Sequence, residues 1–231
     1  MIGFYNYTML LTYMSLVSAC LGIMMSLSGG GHPFIGCFFL LFSGFCDAFD
    51  GKVARTKKNR TPMEREFGIQ IDSLSDLVAF GVLPACIGVA MMRTSRYFEK
   101  LFDGSEISWQ TRLLKIICYA ILVLYSLAAL IRLAYYNVTE QERQQTEDGD
   151  RKHFVGLPVT TSALIFPFIM LFHYILPADV TPIYIAAVLV TGFLFVFRFR
   201  VPKFGIKGVL ALVGIGVVEF VLLFIWKWLN K

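Results

Sequence analysis

The sequence predicts an all-α, polytopic transmembrane helical bundle of about six to seven spans, and three observations carry that prediction. Of 231 residues, 57% are hydrophobic and only 16% charged, with a mean hydropathy of +0.67, a balance foreign to a globule solvated on every side. The apolar residues gather into seven runs, each near the ~20 residues that an α-helix needs to cross ~30 Å of hydrocarbon. The Lys and Arg residues are split unevenly between alternate connectors. The same arithmetic excludes a disordered chain, a disulfide-stapled secreted domain and a nucleic-acid binder. The pI near 9.0 reflects a net charge of only +5, dispersed between apolar runs.

The first run, Tyr7 to Leu27, has no basic residue before it, Lys52 being the first positive charge, so it reads as a retained span rather than a signal peptide. The second, Pro33 to Phe49, and the third, Ser73 to Met92, flank a strongly basic connector. The fourth is Leu113 to Tyr136, followed by an acidic stretch, Thr139 to Asp150, that reads as a solvated loop. Leu157 to Leu176 forms the fifth, and Ile183 to Phe197, the shortest, needs help from its neighbours to span. The seventh, Gly208 to Trp226, carries a lone acid, Glu219, expected to bond within the bundle or across a dimer contact and to have no catalytic role. Trp109, Trp226 and Trp228 fall near predicted membrane boundaries, as expected of rings at headgroup level. Cys20, Cys37, Cys46, Cys86 and Cys118 form no CxxC pair and read as small buried hydrophobes, against zinc and disulfide frameworks.

Orientation follows from charge. The connectors after spans two, four and six, counted with Arg132 near the end of span four, hold fourteen of the 21 Lys and Arg, and the opposite face holds seven. The positive-inside rule therefore places the N-terminus and the fourteen-charge face in the cytoplasm. Retained spans and positive-inside loops suit a prokaryotic plasma membrane. Residues 1–231 read as one membrane domain.

Four acids stand where a membrane protein least tolerates them. Asp47 and Asp50 end the second span, and Asp72 and Asp76 open the third. A carboxylate at a helix centre costs about 2.5 to 3.5 kcal/mol on insertion scales, so four of them demand a hydrated cavity and a cation. Spacings of three and four project each pair from one helix face. Gly51 and Ala54 continue the Asp47 face, and Gly68 precedes Asp72 by four residues, which leaves room for a bulky ligand against both backbones. Oxygen-only ligands favour Mg²⁺, Mn²⁺ or Ca²⁺ over zinc. Arg55 is suited to bidentate pairing with a phosphate.

The stretch Asp47-Ala-Phe-Asp-Gly-Lys-Val-Ala-Arg55, then Gly68-Ile-Gln-Ile-Asp72-Ser-Leu-Ser-Asp76, resembles the signature of the CDP-alcohol phosphotransferases, D-x2-D-G-x2-A-R, a spacer, G-x3-D-x3-D, with every fixed position filled. The spacer departs from that pattern: Thr56 to Phe67 is twelve residues where the family usually has about eight, and the extra residues are expected to lengthen the cytoplasmic loop. Phe67 to Ala85, Ile131 to Val138, Phe154 to Pro158 and Phe197 to Phe204 make the chain most similar, within the family, to the integral-membrane phosphatidylserine synthases. The family-like core covers about 33–204, and the span at about 208–226 is additional to a six-helix core.

That resemblance implies transfer of the phosphatidyl group from CDP-diacylglycerol to L-serine, giving phosphatidylserine and CMP. Carried over by position, Asp47, Asp50, Asp72 and Asp76 would ligate metal, in all two ions of Mg²⁺ or Mn²⁺ and with Ca²⁺ also able to bind; Asp76 would also be the general base. Asp47, Gly51, Ala54, Arg55 and Gly68 would contact CDP-diacylglycerol. For the serine carboxylate the candidates are Arg132, with Asn137 near it, and Arg151 and Lys152. The family's usual state is a homodimer. Two alternatives stand beside this: the same chemistry with glycerol 3-phosphate or inositol phosphate as acceptor, and a cation transporter in which the four Asp bind the cargo. A transporter predicts midplane acids and repeat symmetry, and the second half of the sequence has no matching acidic pair.

Overall fold

The computed structural model describes residues 2–98, 109–146, 153–175, 179–202 and 206–229. A 3₁₀ turn at Tyr7–Met9 leads into α1 (Leu10–Leu27). Then come α2 (Pro33–Thr56), α3 (Pro62–Asp76) and α4 (Leu83–Thr94), the last two joined without a break by a π-helical segment, Leu77–Val82. The remaining helices are α5 (Trp109–Thr146), α6 (Ser162–Ile175), α7 (Thr181–Val196) and α8 (Ile206–Leu229). By length and composition, Tyr7–Leu27, Pro33–Thr56, Pro62–Thr94 and Trp109–Arg143 can each cross a membrane, and Val159–Phe172 and Thr181–Val196 are apolar but shorter. The architecture is thus an all-α membrane bundle.

Three expectations change. The acidic stretch after the fourth run is helical as far as Thr146, because Gln, Glu and Arg are good helix formers and Arg143 pairs with Glu140 at 2.7 Å one turn away; residues 147–150 lie outside the described residues. The extra spacer residues do not lengthen the loop. Thr61 caps α3 by accepting the Glu64 N–H at 3.1 Å, Pro62 takes the first helical position, and only 57–61 remain between α2 and α3. The third is a small sheet in an otherwise helical chain. His153–Val155 (β1) pairs antiparallel with Arg200–Pro202 (β2), Phe154 opposite Val201, so two of the segments that carried the family resemblance lie side by side.

α1 and α2 approach closely through small and polar residues. Ser43 Oγ donates to the Ser15 carbonyl at 3.0 Å, Ser18 Oγ to that of Phe39 at 2.9 Å, and a Cβ on Gly22 would come within 2.8 Å of Phe39 Cβ. The π segment has an identifiable cause and a repair. Pro84 has no N–H and cannot bond the Phe80 carbonyl, and the Leu83 N–H reaches back five residues to Val78. The Phe80 carbonyl accepts instead from Tyr125 Oη at 2.6 Å and Ser162 Oγ at 3.4 Å, Gly81 from Ser126 Oγ at 2.9 Å, and Pro84 from Tyr184 Oη at 2.8 Å. Tyr125, Phe166, Tyr184 and Phe195 form the buried aromatic centre around these bonds. Tyr125→Phe keeps the ring but leaves that carbonyl only the long bond from Ser162, so it is expected to cost about 1 kcal/mol in a reversible SDS-denaturation titration.

Glu219 on α8 is 5% exposed, and its Oε2 meets no donor among the described residues, so the bond expected within the bundle is not formed by that oxygen. The five cysteines are all free and none is exposed.

Candidate functional site

α2 runs about two turns past the end of its apolar run, and this extension carries Asp50, Gly51, Ala54 and Arg55 on the same continuous helix as Asp47. α3 carries Gly68, Asp72 and Asp76. The two helices bring one carboxylate oxygen each from Asp47, Asp50 and Asp72 to within 4.8 Å of one another. Asp76 lies beside Asp47, and Asp50 beside Asp72, while Asp76 stands outside the three-oxygen set. Asp50 is 7% exposed and Asp76 8%. α1 buttresses both helices: Thr12 Oγ1 donates to Asp50 Oδ2 at 3.3 Å, and Ser75 Oγ to the Thr12 carbonyl at 3.2 Å.

Among the described residues no Lys, Arg or His pairs with any of the four acids; the nearby Lys57 is engaged by Glu64 at 2.7 Å. A wet helix end balanced by its own cations is therefore not what the acids make. Ligand oxygens around Mg²⁺ or Ca²⁺ sit about 2.0 to 2.6 Å from the ion, so oxygens on opposite sides of one ion are about 4 to 5 Å apart. The three-oxygen set fits that spacing, and an all-oxygen donor set fits a hard divalent cation.

The small residues differ in what they leave open. A Cβ on Gly51 would meet only Arg55 Nη2, at 3.9 Å, so the helix face beside the acids is clear. Arg55 is exposed and lies back along its own helix, its Nε donating to the Gly51 carbonyl at 3.0 Å. Ala54 is half-buried. Gly68 is covered by the chain itself: a Cβ there would come within 2.7 Å of Arg60 Nη2 and 3.1 Å of Met9 Cε.

Of the acceptor candidates, Asn137 is joined to the acids' helix, its Nδ2 donating to Ser73 Oγ at 2.7 Å, next to Asp72. Arg132 is 6% exposed; its Nε donates to the Leu157 carbonyl at 3.2 Å and its guanidinium lies 5.5 Å from the Tyr136 ring centre. The turn it supports depends on Gly156, whose φ of +78° disfavours any side chain and whose Cβ would meet the Phe195 carbonyl at 3.0 Å. Arg151 and Lys152 lie outside the described residues.

Residue-type reasoning missed the polar network that holds the α2–α3 connector. Glu64 is 4% exposed and accepts from Lys57 Nζ at 2.7 Å and from Asn6 Nδ2, while Tyr7 Oη meets Thr56 Oγ1 at 3.2 Å and Phe4 packs edge-on to Phe67. The Thr61-x-x-Glu64 spacing was a readable signal of a helix start there. In the fold Thr61 caps as that pattern predicts, but Glu64 turns to Lys57 and Asn6.

A family model described as CDP-alcohol phosphatidyltransferase matches residues 5–201. Among similar proteins is a CDP-diacylglycerol-serine O-phosphatidyltransferase of Helicobacter pylori, 27% identical over 191 residues, which are 81% of this chain and 69% of that one. Another of the same name, from Saccharomyces cerevisiae, is 34% identical over 161 residues, 68% of this chain and 50% of that one. An archaetidylserine synthase of Methanothermobacter thermautotrophicus is 29% identical over 155 residues, 67% of this chain and 53% of that one. The chain therefore spans only about half the length of the yeast and archaeal relatives.

Proposed function

Because the chain belongs to the CDP-alcohol phosphatidyltransferase family, we propose that it transfers the phosphatidyl group of CDP-diacylglycerol to the hydroxyl of L-serine, forming phosphatidylserine and CMP. The observation that carries this reading is the convergence of Asp47, Asp50 and Asp72, unpaired by any cation among the described residues, with Asp76 beside Asp47. Asp47, Asp50 and Asp72 would hold divalent metal, with Asp76 able to join a second ion. Bound there, one or two ions of Mg²⁺ or Mn²⁺, or Ca²⁺ as an occupant, would supply positive charge where negative charge develops on the departing CMP.

The chain's own groups do the rest. The serine oxygen forms its bond to the phosphatidyl phosphorus as the bond from phosphorus to the CMP oxygen breaks, and the hydroxyl proton passes to the Asp76 carboxylate. The open face at Gly51 and Ala54 receives the nucleotide, with Gly68, which Arg60 and Met9 cover, at its border, and Arg55 turns from the Gly51 carbonyl to a phosphate oxygen. Arg132 stands at the turn after β1 and Asn137 beside the acids' helix as contacts for serine, and Arg151 and Lys152, which precede β1 in sequence, are further contacts. The acids face the cytoplasm of a prokaryotic cell, six or seven helices span its plasma membrane, the acyl chains stay in lipid, and the protein works as a homodimer.

The test is CMP release by purified protein in detergent with CDP-diacylglycerol and Mg²⁺ or Mn²⁺, offering serine, glycerol 3-phosphate and inositol phosphate separately. Release with serine alone is the expected result. Release with another acceptor only would discard the serine assignment, and release with none from folded protein would discard the transferase reading.

A further inference from the structure

One cation near the acids, Arg60, forms no ion pair among the described residues. Arg60 sits in the connector between α2 and α3, immediately before the Thr61 cap. Its Nη2 lies 2.7 Å from where a Gly68 Cβ would be, so the guanidinium covers the bare backbone of that glycine. Gly68 is one helical turn before Asp72, about 6 Å along α3, and spacings of four put both near one face. Arg60 therefore stands one turn outward from the carboxylates that α2 and α3 bring together.

The Nε of Arg60 is buried and has no hydrogen-bond partner among the described residues. A guanidinium carries five donors and cannot give up its proton, so a buried donor without an acceptor is costly unless something else supplies one. The neighbouring acid does not, because Glu64 is engaged by Lys57 and Asn6. Nor do the four aspartates, none of which forms an ion pair with Arg60. Placement is not incidental either: the connector is fixed at Thr61 by the cap and at Lys57 by Glu64, which is 4% exposed. A held, underused guanidinium beside a bare glycine, one turn from a metal-type acid cluster, is complementary to an anion lying between them.

We infer that Arg60 contacts the diphosphate of the nucleotide substrate through its guanidinium fork, a binding role outside the aspartate signature. The inference rests on the phosphatidyl-transfer reading and names a further residue for it. Arg55, by contrast, is exposed and already bonded to its own helix.

The experiment is isothermal titration of CDP into detergent-solubilised protein with Mn²⁺ present, paired with KM for CDP-diacylglycerol and for serine. For Arg60→Ala, CDP affinity is expected to fall at least about tenfold, and KM for CDP-diacylglycerol to rise in step, with serine KM within about twofold. Arg60→Lys keeps the charge without the fork and is expected to lose about threefold or more, which carries the test should the alanine variant fail to fold. Lys58→Ala, an exposed neighbour, is the control and is expected to bind as wild type does. CDP binding by either folded Arg60 variant within twofold of wild type would overturn the inference, as would an equal loss in Lys58→Ala. If wild type binds CDP, and Arg60→Ala does not, yet no acceptor yields product, the transfer reading fails while the nucleotide contact stands.

Discussion

Asp72→Asn is expected to lower CMP release by about a thousandfold or more while leaving the protein folded. Asp72 is the acid that α3 contributes to the three-oxygen set, facing Asp50 and within 4.8 Å of both α2 acids. Asparagine preserves its shape but halves the oxygen donors and removes the charge, so the site's attraction for a hard divalent cation falls. A metal contribution of several kcal/mol to charge stabilisation corresponds to about three powers of ten in rate. Direct Mn²⁺ titration by electron paramagnetic resonance should show the weakened site independently of turnover. Stability should move the other way. The metal-free acids crowd like charges with no paired cation among the described residues, so removing one charge is expected to leave the metal-free melting temperature equal or higher. Turnover within tenfold of wild type, or Mn²⁺ affinity unchanged, would show that Asp72 is not a ligand.

Much of this site could be read before any coordinates, and the reasons are physical. Acids spaced by three and four must share a helix face, and charges at the ends of apolar runs must meet something that neutralises them. Sequence spacing therefore carried Asp47, Asp50 and Asp72 into one cluster. Apolar length located the long helices for the same reason, since lipid leaves few other ways to satisfy a backbone.

What the sequence hid is where polar side chains choose between competing partners. The spacer looked like a lengthened loop because Thr56 to Phe67 is longer than the family's usual spacer, yet a Thr61 cap and Pro62 turn its second half into helix. The acidic run after the fourth apolar run looked solvated and forms the end of α5 as far as Thr146, because local propensity and the Glu140–Arg143 pair outweigh polarity there. Arg132 looked like a carboxylate receptor, and its Nε holds the Leu157 carbonyl. The π segment follows from Pro84, but its tolerance depends on Tyr125, Ser126 and Ser162, hydroxyls more than 40 residues away in sequence that no local pattern connects to it.

Asp76→Asn separates the fourth acid from the other three. Asp76 is 8% exposed, lies beside Asp47 and stands outside the oxygen set formed by Asp47, Asp50 and Asp72. It is also the last residue of α3, where α-helical pitch gives way to the π segment, a kind of local irregularity frequently found at functional sites. An acid that is near the cluster without completing it suits a proton acceptor for the serine hydroxyl. Asparagine holds the same volume and can still accept a hydrogen bond, but it cannot take the proton. The expected result is a fall in kcat of about a hundredfold to ten-thousandfold, with CDP affinity and Mn²⁺ affinity each within a few-fold of wild type. This split distinguishes it from Asp72→Asn, in which metal affinity and turnover fall together. Near-normal kcat in Asp76→Asn would remove the base assignment. Loss of Mn²⁺ binding alongside kcat would instead move Asp76 into the metal set, leaving the serine proton to another acceptor.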